Sequence, residues 1–335
     1  MILSRAPVRI TLGGGGTDLP SYYEKYEGFL IAGAIDKYLI IGANRQFYDA
    51  IGLKYSKMEK VTNVNKIQHN LFREALKLLD IKTQIELTSL ADIPAGSGLG
   101  SSGAFLISLL NTLREFKGEK TTKRQLAEDA CKIELEILKE HEGKQDKYIC
   151  SFGGIKVLKF HRNGEVSVLH LPNEDLIKTE LENRLSIYFT GFTRKGTASD
   201  VLKRQDEKTK NKDSEMIEML HKVKDIGLRT ERAFGNCEFD VFGELMHEYW
   251  QIKTKINPLK DDNIEKYYNY AIKHGATGGK VMGANTDVGF FMFYHPGPEG
   301  KRREFENSME KIGLTKMTFR FDMDGVTTLF KGGHK

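Results

Sequence analysis

From Pro94 the chain runs Ala95-Gly96-Ser97-Gly98-Leu99-Gly100-Ser101-Ser102-Gly103 and passes straight into an apolar stretch, Ala104 to Phe116. Closely spaced glycines leave backbone N–H groups free to close on an anion, and the helix start that follows adds partial positive charge. Phosphate is the natural guest, and the serines suit the N-cap of the helix. The loop is not a Walker loop, because Gly143-Lys144 is followed by Gln145 and Gly279-Lys280 by Val281 instead of Ser or Thr. Gly98, Gly100 and Gly103 do satisfy GxGxxG. However, Ala91-Asp92-Ile93-Pro94 separates the first glycine from the preceding strand, and the segment after Phe116 is helical in pattern, so the dinucleotide-binding reading is weak.

A length of 335 residues suits two medium domains, and 39% hydrophobic with 29% charged residues is the balance of an ordinary globular chain. Lys and Arg number 51 against 46 Asp and Glu, spread along the chain instead of gathered in a stripe, which argues against a nucleic-acid binder. Cys131, Cys150 and Cys237 form no CxxC pair, so a reducing compartment fits better than a disulfide framework or a cysteine zinc site. Met1 to Arg9 lacks a signal-type apolar core, and the apolar stretch Phe29 to Ala43 is interrupted by Asp36 and Lys37. The expectation is a cytoplasmic protein with no membrane partner; the oligomeric state stays open, a homodimer included.

Alternating apolar residues from Ser4 to Thr11 predict a strand that delivers the loop Gly13-Gly14-Gly15-Gly16-Thr17-Asp18. Further strands are expected over Leu39–Ala43, Gln84–Thr88 and Phe152–Phe160, with helices over Ile67–Leu79 and Lys123–His141. A domain boundary is placed near Pro172. Beyond it come a strand over Leu185–Thr190, charged helical stretches from Ser199 to Phe234, a helix over Phe239–Ile256 and another over Ile264–His274. A glycine turn over Gly275–Lys280, a strand over Gly289–Tyr294, a helical stretch Arg302–Ile312 and a strand over Lys316–Phe321 complete an α+β pattern.

Three carboxylates stand out. In the helix from Lys123, Ile133, Leu126, Ile137 and Ala130 fill one arc and Glu134 projects from its middle, so it needs a cation: Mg²⁺ held against a bound triphosphate, or a core Lys or Arg. Asp146, in a polar segment read as a helix-ending loop, is able to accept a proton from a hydroxyl. Asp18 either caps the helix beginning near Ser21 or binds sugar hydroxyls. His247-Glu248 has Gln251 where a zinc-binding HExxH needs its second His.

Taken together, Ala6-Pro7-Val8-Arg9-Ile10-Thr11-Leu12 with the glycine loop to Asp18, the Pro94–Ala104 loop, and Gly143-Lys144-Gln145-Asp146-Lys147-Tyr148 resemble the GHMP small-molecule kinases. The GGGGTDLP opening and the GKQD segment look most like the D-glycero-D-manno-heptose 7-phosphate kinases and related anomeric sugar kinases such as fucokinase. The resemblance spans essentially the whole chain. It implies a ribosomal-protein-S5-like first domain (residues 1–172), a ferredoxin-like second domain (173–335), and ATP and a sugar phosphate meeting between them. Gly96, Ser97, Gly98, Leu99, Gly100, Ser101 and Ser102 would wrap the ATP phosphates. Ser101 or Ser102 with Glu134 would hold Mg²⁺. Asp146 would face the acceptor hydroxyl as base or orienting charge, Arg9 would serve the transferring phosphoryl group or Asp146, and Asp18 with Thr17 and Gly16 would bind the sugar.

A phosphate on the acceptor calls for a basic pocket, for which Arg194 and Lys195 are candidates. Two departures from the family pattern carry expectations of their own. Gly283-Ala284-Asn285-Thr286-Asp287-Val288-Gly289-Phe290 is longer and bulkier than the usual GAGGGGF-like turn and should hinder backbone approach, and Lys147 sets a second cation beside Asp146, which would lower its pKa. The implied activity is ATP- and Mg²⁺-dependent phosphorylation of an anomeric hydroxyl, with heptose 7-phosphate going to the 1,7-bisphosphate for nucleotide-activated heptose of surface polysaccharide. The alternatives are a kinase of another sugar such as fucose, or a non-catalytic binder of sugar phosphate or nucleotide.

Overall fold

The computed structural model describes residues 1–191, 198–284, 286 and 289–332. In chain order the strands and helices are β1 (Ile2–Gly13), α1 (Pro20–Tyr26), β2 (Gly28–Arg45), β3 (Ile51–Lys54), β4 (Met58–Val61), α2 (Asn70–Leu78), β5 (Ile85–Ala91), α3 (Ser101–Lys117), α4 (Lys123–Cys131), α5 (Gln145–Phe152), β6 (Ile155–Phe160) and β7 (Val166–His170). There follow α6 (Glu174–Arg184), β8 (Leu185–Phe189), α7 (Ala198–Lys210), α8 (Ser214–Gly235), α9 (Phe239–Ile256), α10 (Asp262–Lys273), β9 (Gly278–Val281), β10 (Phe290–Tyr294), α11 (Glu299–Lys311), β11 (Thr315–Met317) and β12 (Thr327–Lys331).

β2 organises the first sheet. Of its 18 residues, those between Ile31 and Ala43 pair with β1, while its N-terminal part (Gly28–Gly33) meets β6 and its C-terminal part (Leu39–Arg45) β5. Every pairing of that sheet is antiparallel except β3 with β5. α3 and α8 both pack against β1 and β2, so these strands are covered from two sides and lose the simple in-out alternation of a half-exposed strand. α3 is buried from Gly103 through Leu113, which accounts for its almost continuous apolar sequence. The second sheet, in the order β11-β8-β10-β9, is antiparallel throughout, with α9 against β9 and β10 and against α8. No described helix is long and apolar enough to cross a membrane.

Several expectations change. Gln145–Phe152, read as a loop leading into a strand, is a helix that stops at Gly153, where φ is 74°. Two turns are too short for periodicity to reveal, and Asp146 in the first turn favours the helix dipole. The helix expected to run from Lys123 to His141 is α-helical to Cys131 and then continues as a π turn, Lys132–Ile137. Lys280 lies on a strand, not in a turn, because Gly278–Val281 pairs with β10. The strand expected over Lys316–Phe321 is confined to Thr315–Met317 on the second sheet, while a strand not expected from sequence, Thr327–Lys331, returns to the first sheet and pairs with β1, and Phe321 bridges to Ile35. Thr327–Lys331 is therefore part of the first sheet.

Candidate active site

On β1, Arg9 and Thr11 share one face by the two-residue period of a strand, and that face meets the first turn of α5. Arg9 donates from Nε to Asp146 Oδ1 at 2.7 Å and from Nη2 to Oδ2 at 3.0 Å, while its Nη1 donates to the Gly98 carbonyl at 2.7 Å. Thr11 Oγ1 donates to Gln145 Oε1 at 2.7 Å. Burial works against the Arg9 charge, but the adjacent Asp146 outweighs it and holds the guanidinium's pKa above its ordinary value. Arg9 is therefore the partner of Asp146, one of its two expected roles. Gly103, inside α3, lets α5 come this close: a Cβ there would sit 2.7 Å from the Asp146 Cβ.

Asp18 does not cap α1, whose N-cap is Leu19. It accepts instead from the Gln145 backbone N–H at 3.0 Å and the Gly16 N–H at 3.3 Å. Burial is the main cause of its raised pKa. Gly16 lines the same cavity as Asp18, and its carbonyl accepts from Gln205 Nε2 of α7 at 2.8 Å. Thr17 points the other way: its hydroxyl donates to the Gly14 and Phe29 carbonyls and accepts from the Phe29 N–H, so it braces the loop and does not reach the cavity.

Glu134, on the π turn, accepts from Ser102 Oγ at 2.7 Å through Oε1, so the expected pair of oxygen donors is brought together. Its Oε2 meets Lys147 Nζ, with both side chains almost wholly buried. Lys147 also donates to the Gly143 carbonyl at 3.1 Å. The cation that the apolar helix face demanded is thus a core lysine, and Lys147 is turned to Glu134 instead of standing as the partner of Asp146. Burial pulls the Lys147 pKa down, but Glu134 more than reverses this and leaves it raised. Oxygen donors from Ser102 and Glu134 are of the kind Mg²⁺ takes, with Lys147 on the carboxylate's other oxygen.

The loop before α3 departs from expectation in its capping. The N-cap is Gly100 with no side-chain cap bond, and Ser101 and Ser102 form the first helical turn, so the N-terminal amides are left to another acceptor. Gly96, Gly98, Gly100, Ser101 and Ser102 line the cavity, whereas Ser97 and Leu99 are fully buried behind it, and the Leu99 carbonyl accepts from the Arg9 N–H at 2.9 Å. The atypical glycine turn does not hold the loop away: a Cβ on Gly283 would lie 2.7 Å from the Gly98 Cα, so the two backbones touch. Asn285, Asp287, Val288, Arg194 and Lys195 lie outside the described residues.

Arg9, Thr11, Asp18, Ser102, Glu134 and Asp146 open on one cavity of about 780 Å³ between the sheets. One wall carries Tyr55, His69 and Phe105, with His69 in ring contact with Tyr55 at 4.8 Å and with Phe105 at 5.2 Å between centroids. Another part of the wall carries Tyr249, Lys253 and Lys280. None of these was picked out from sequence. Lys253 had a readable signal, since Phe242, Met246, Tyr249, Lys253 and Ile256 recur at helical spacing and all are buried, the same anomaly that marks Glu134. Lys280 sits on a four-residue strand and His69 just ahead of α2, and neither shows such a pattern. Among the described residues no group of three or more His, Cys, Asp and Glu is placed to hold a metal by itself.

Comparison with known proteins agrees with this geometry. Residues 65–154 match the GHMP kinases N terminal domain. Over 338 aligned residues the chain is 28% identical to the D-glycero-alpha-D-manno-heptose 7-phosphate kinase of Campylobacter jejuni, covering 97% of this chain and 98% of that protein. Its fold matches a crystal structure of a D-glycero-D-manno-heptose 1-phosphate kinase from Bacteroides thetaiotaomicron with a TM-score of 0.81 at 23% identity, over 99% of this chain and 100% of the other. Lactococcus lactis galactokinase complexed with galactose gives a TM-score of 0.77 at 16% identity, over 98% and 95% of the two chains. Residues 65–154 are thus a GHMP kinases N terminal domain, and the chain shares its α+β fold with solved sugar kinases along nearly its whole length.

Proposed function

We propose that this chain is an ATP-dependent sugar kinase that phosphorylates the anomeric hydroxyl of D-glycero-D-manno-heptose 7-phosphate, giving the 1,7-bisphosphate. Similarity to these sugar kinases supports the reaction class, and the Campylobacter jejuni relative supports the choice of heptose 7-phosphate. The observation that carries the reading is Asp146, clamped by Arg9 and facing the cavity beside the uncapped N-terminus of α3. Phosphoryl transfer depends on positioning and on spreading charge, and this arrangement supplies both.

In this reading Gly96, Gly98 and Gly100 offer backbone N–H groups to the ATP phosphates, with the start of α3 behind them. Tyr55, His69 and Phe105 form an apolar, aromatic wall suited to a nucleobase. Asp18, held by the Gln145 and Gly16 amides, accepts from sugar hydroxyls. The anomeric oxygen bonds to the γ-phosphorus as the bond to ADP breaks, and the hydroxyl proton passes to an Asp146 oxygen. Ser102 and Glu134 would hold Mg²⁺, which when bound neutralises phosphate charge. The product suits a later nucleotidyl transfer toward activated heptose.

The test is ADP release with ATP and Mg²⁺ against heptose 7-phosphate, fucose, galactose and mannose 6-phosphate, with Asp146→Ala as control. Turnover of heptose 7-phosphate alone, lost in the variant, is the expected result. Turnover of a neutral sugar in preference would move the acceptor, and nucleotide binding without ADP release on any acceptor would replace catalysis by binding.

A further inference from the structure

We infer that Lys280 anchors a phosphate-oxyanion subsite on the wall of the cavity formed by β9 and α9. The subsite is read from the surroundings of Lys280, and only the identity of the arriving phosphate rests on the kinase reading. Lys280 is 3% exposed and lines the cavity from β9. Its Nζ stands 4.1 Å over the centre of the Tyr249 ring, and that ring is held in place by the Tyr249 hydroxyl donating to the Gly15 carbonyl at 3.0 Å.

The other cations of the cavity wall are engaged. Arg9 is taken by Asp146 and the Gly98 carbonyl, Lys147 by Glu134 and the Gly143 carbonyl, and Lys253 donates to the carbonyls of Val281 at 2.5 Å and Gly283 at 2.7 Å. Among the described residues, Lys280 has no carboxylate or carbonyl partner, only the aromatic face. A ring face compensates a buried ammonium incompletely. Burial, with Lys253 and Arg9 nearby, pushes the Lys280 pKa well below its ordinary value, so an anion that settles there restores its charge.

Three acids of the cavity wall are committed elsewhere. Asp146 is spent on Arg9, Glu134 on Lys147, and Asp18 accepts from backbone amides. Lys280 therefore offers a buried ammonium faced only by an aromatic ring, which matches a phosphate oxygen better than a neutral hydroxyl. Two phosphates can reach this wall: the phosphoryl group in transfer, or the phosphate the acceptor already carries.

The test uses the full chain and its Lys280→Met, Lys280→Gln and Lys280→Arg variants, first with inorganic phosphate in a calorimetric titration. The expected result is a dissociation constant raised about 10-fold or more in the Met and Gln variants and largely restored by Arg. Removing a buried, uncompensated charge should leave the melting temperature of both neutral variants at or above that of the parent, so lost binding is not lost folding. With heptose 7-phosphate as acceptor, a raised KM at unchanged kcat assigns the subsite to the acceptor's phosphate, and a lowered kcat at unchanged KM assigns it to the transferring group. Phosphate affinity and both kinetic constants within twofold of the parent in the neutral variants would overturn the inference. If the parent turns over no acceptor while phosphate binding still depends on Lys280, the kinase reading fails and the subsite stands.

Discussion

Arg9 and Asp146, 137 residues apart in sequence, meet through two parallel N–H···O bonds, 2.7 Å and 3.0 Å long, that lock the carboxylate plane beside the Gly98–Gly103 loop. The fork of a guanidinium fixes the orientation of Asp146 in a way a single ammonium does not.

Asp146→Asn should therefore lower kcat by about 10²–10⁴-fold, the range for losing a positioned proton acceptor, while KM for the sugar changes much less. Arg9→Lys should act in the same direction with a smaller loss. Steady-state kinetics on both variants checks the pair; a rise in KM at unchanged kcat for Asp146→Asn would place that residue in ground-state binding only.

Lys147 and Glu134 form a buried pair, and removing one partner strands the other's charge. Lys147→Met should destabilise the fold by about 3–5 kcal/mol, whereas the double variant Lys147→Met/Glu134→Leu should regain much of that loss because it leaves no unpaired charge. Denaturant titration of the three proteins measures it. Equal stability of the single variant and the parent would mean that Glu134 has another counter-ion.

Asp18 has a pKa raised by burial. A carboxyl that holds its proton more tightly folded than unfolded binds the extra proton between its unfolded and folded pKa values, so its contribution to stability is full below the unfolded pKa and is lost as pH rises through the folded one. Asp18→Asn should accordingly flatten the decline of stability above about pH 4, the ordinary aspartate range. The same variant should weaken sugar binding. Melting curves of parent and variant from acid to neutral pH give the sign, and an unchanged slope would count against a strained charge at Asp18.

Gly103→Ala sets two effects against each other. Alanine in a helix is favoured over glycine by roughly 0.8–1.0 kcal/mol, but the new Cβ would stand 2.7 Å from the Asp146 Cβ and 3.2 Å from its carbonyl carbon, where overpacking costs about 1–3 kcal/mol. The clash should win, lowering both stability and kcat by moving Asp146. A more stable and fully active variant would show that α3 and α5 part freely.

The long elements and the loops between them were readable from local pattern. Phe239–Ile256 forms a helix over the same residues that its apolar spacing indicates, and the strand leading to Gly13 and the loop before α3 lie where alternation and glycines place them. Asp18, Glu134 and Asp146 all reach one cavity, because an acid on an apolar face or among glycines is visible one residue at a time. Thr17 and Leu99 belong to the same motifs yet face inward, and a motif does not say which way its side chains turn.

Partnership was decided by the fold. Glu134 demanded a cation on the strength of its own helix, but that the cation is Lys147 follows from α5 packing against α4 beside the π turn. The wall of Tyr249, Lys253 and Lys280 exists only because α9 lies on β9 and β9 pairs with β10. Periodicity and turn chemistry act over a few neighbouring residues, so they mark elements and odd charges. Which charges neutralise one another, and which is left facing the cavity, depends on contacts between segments far apart in the chain, and those are set by how the sheets and helices pack.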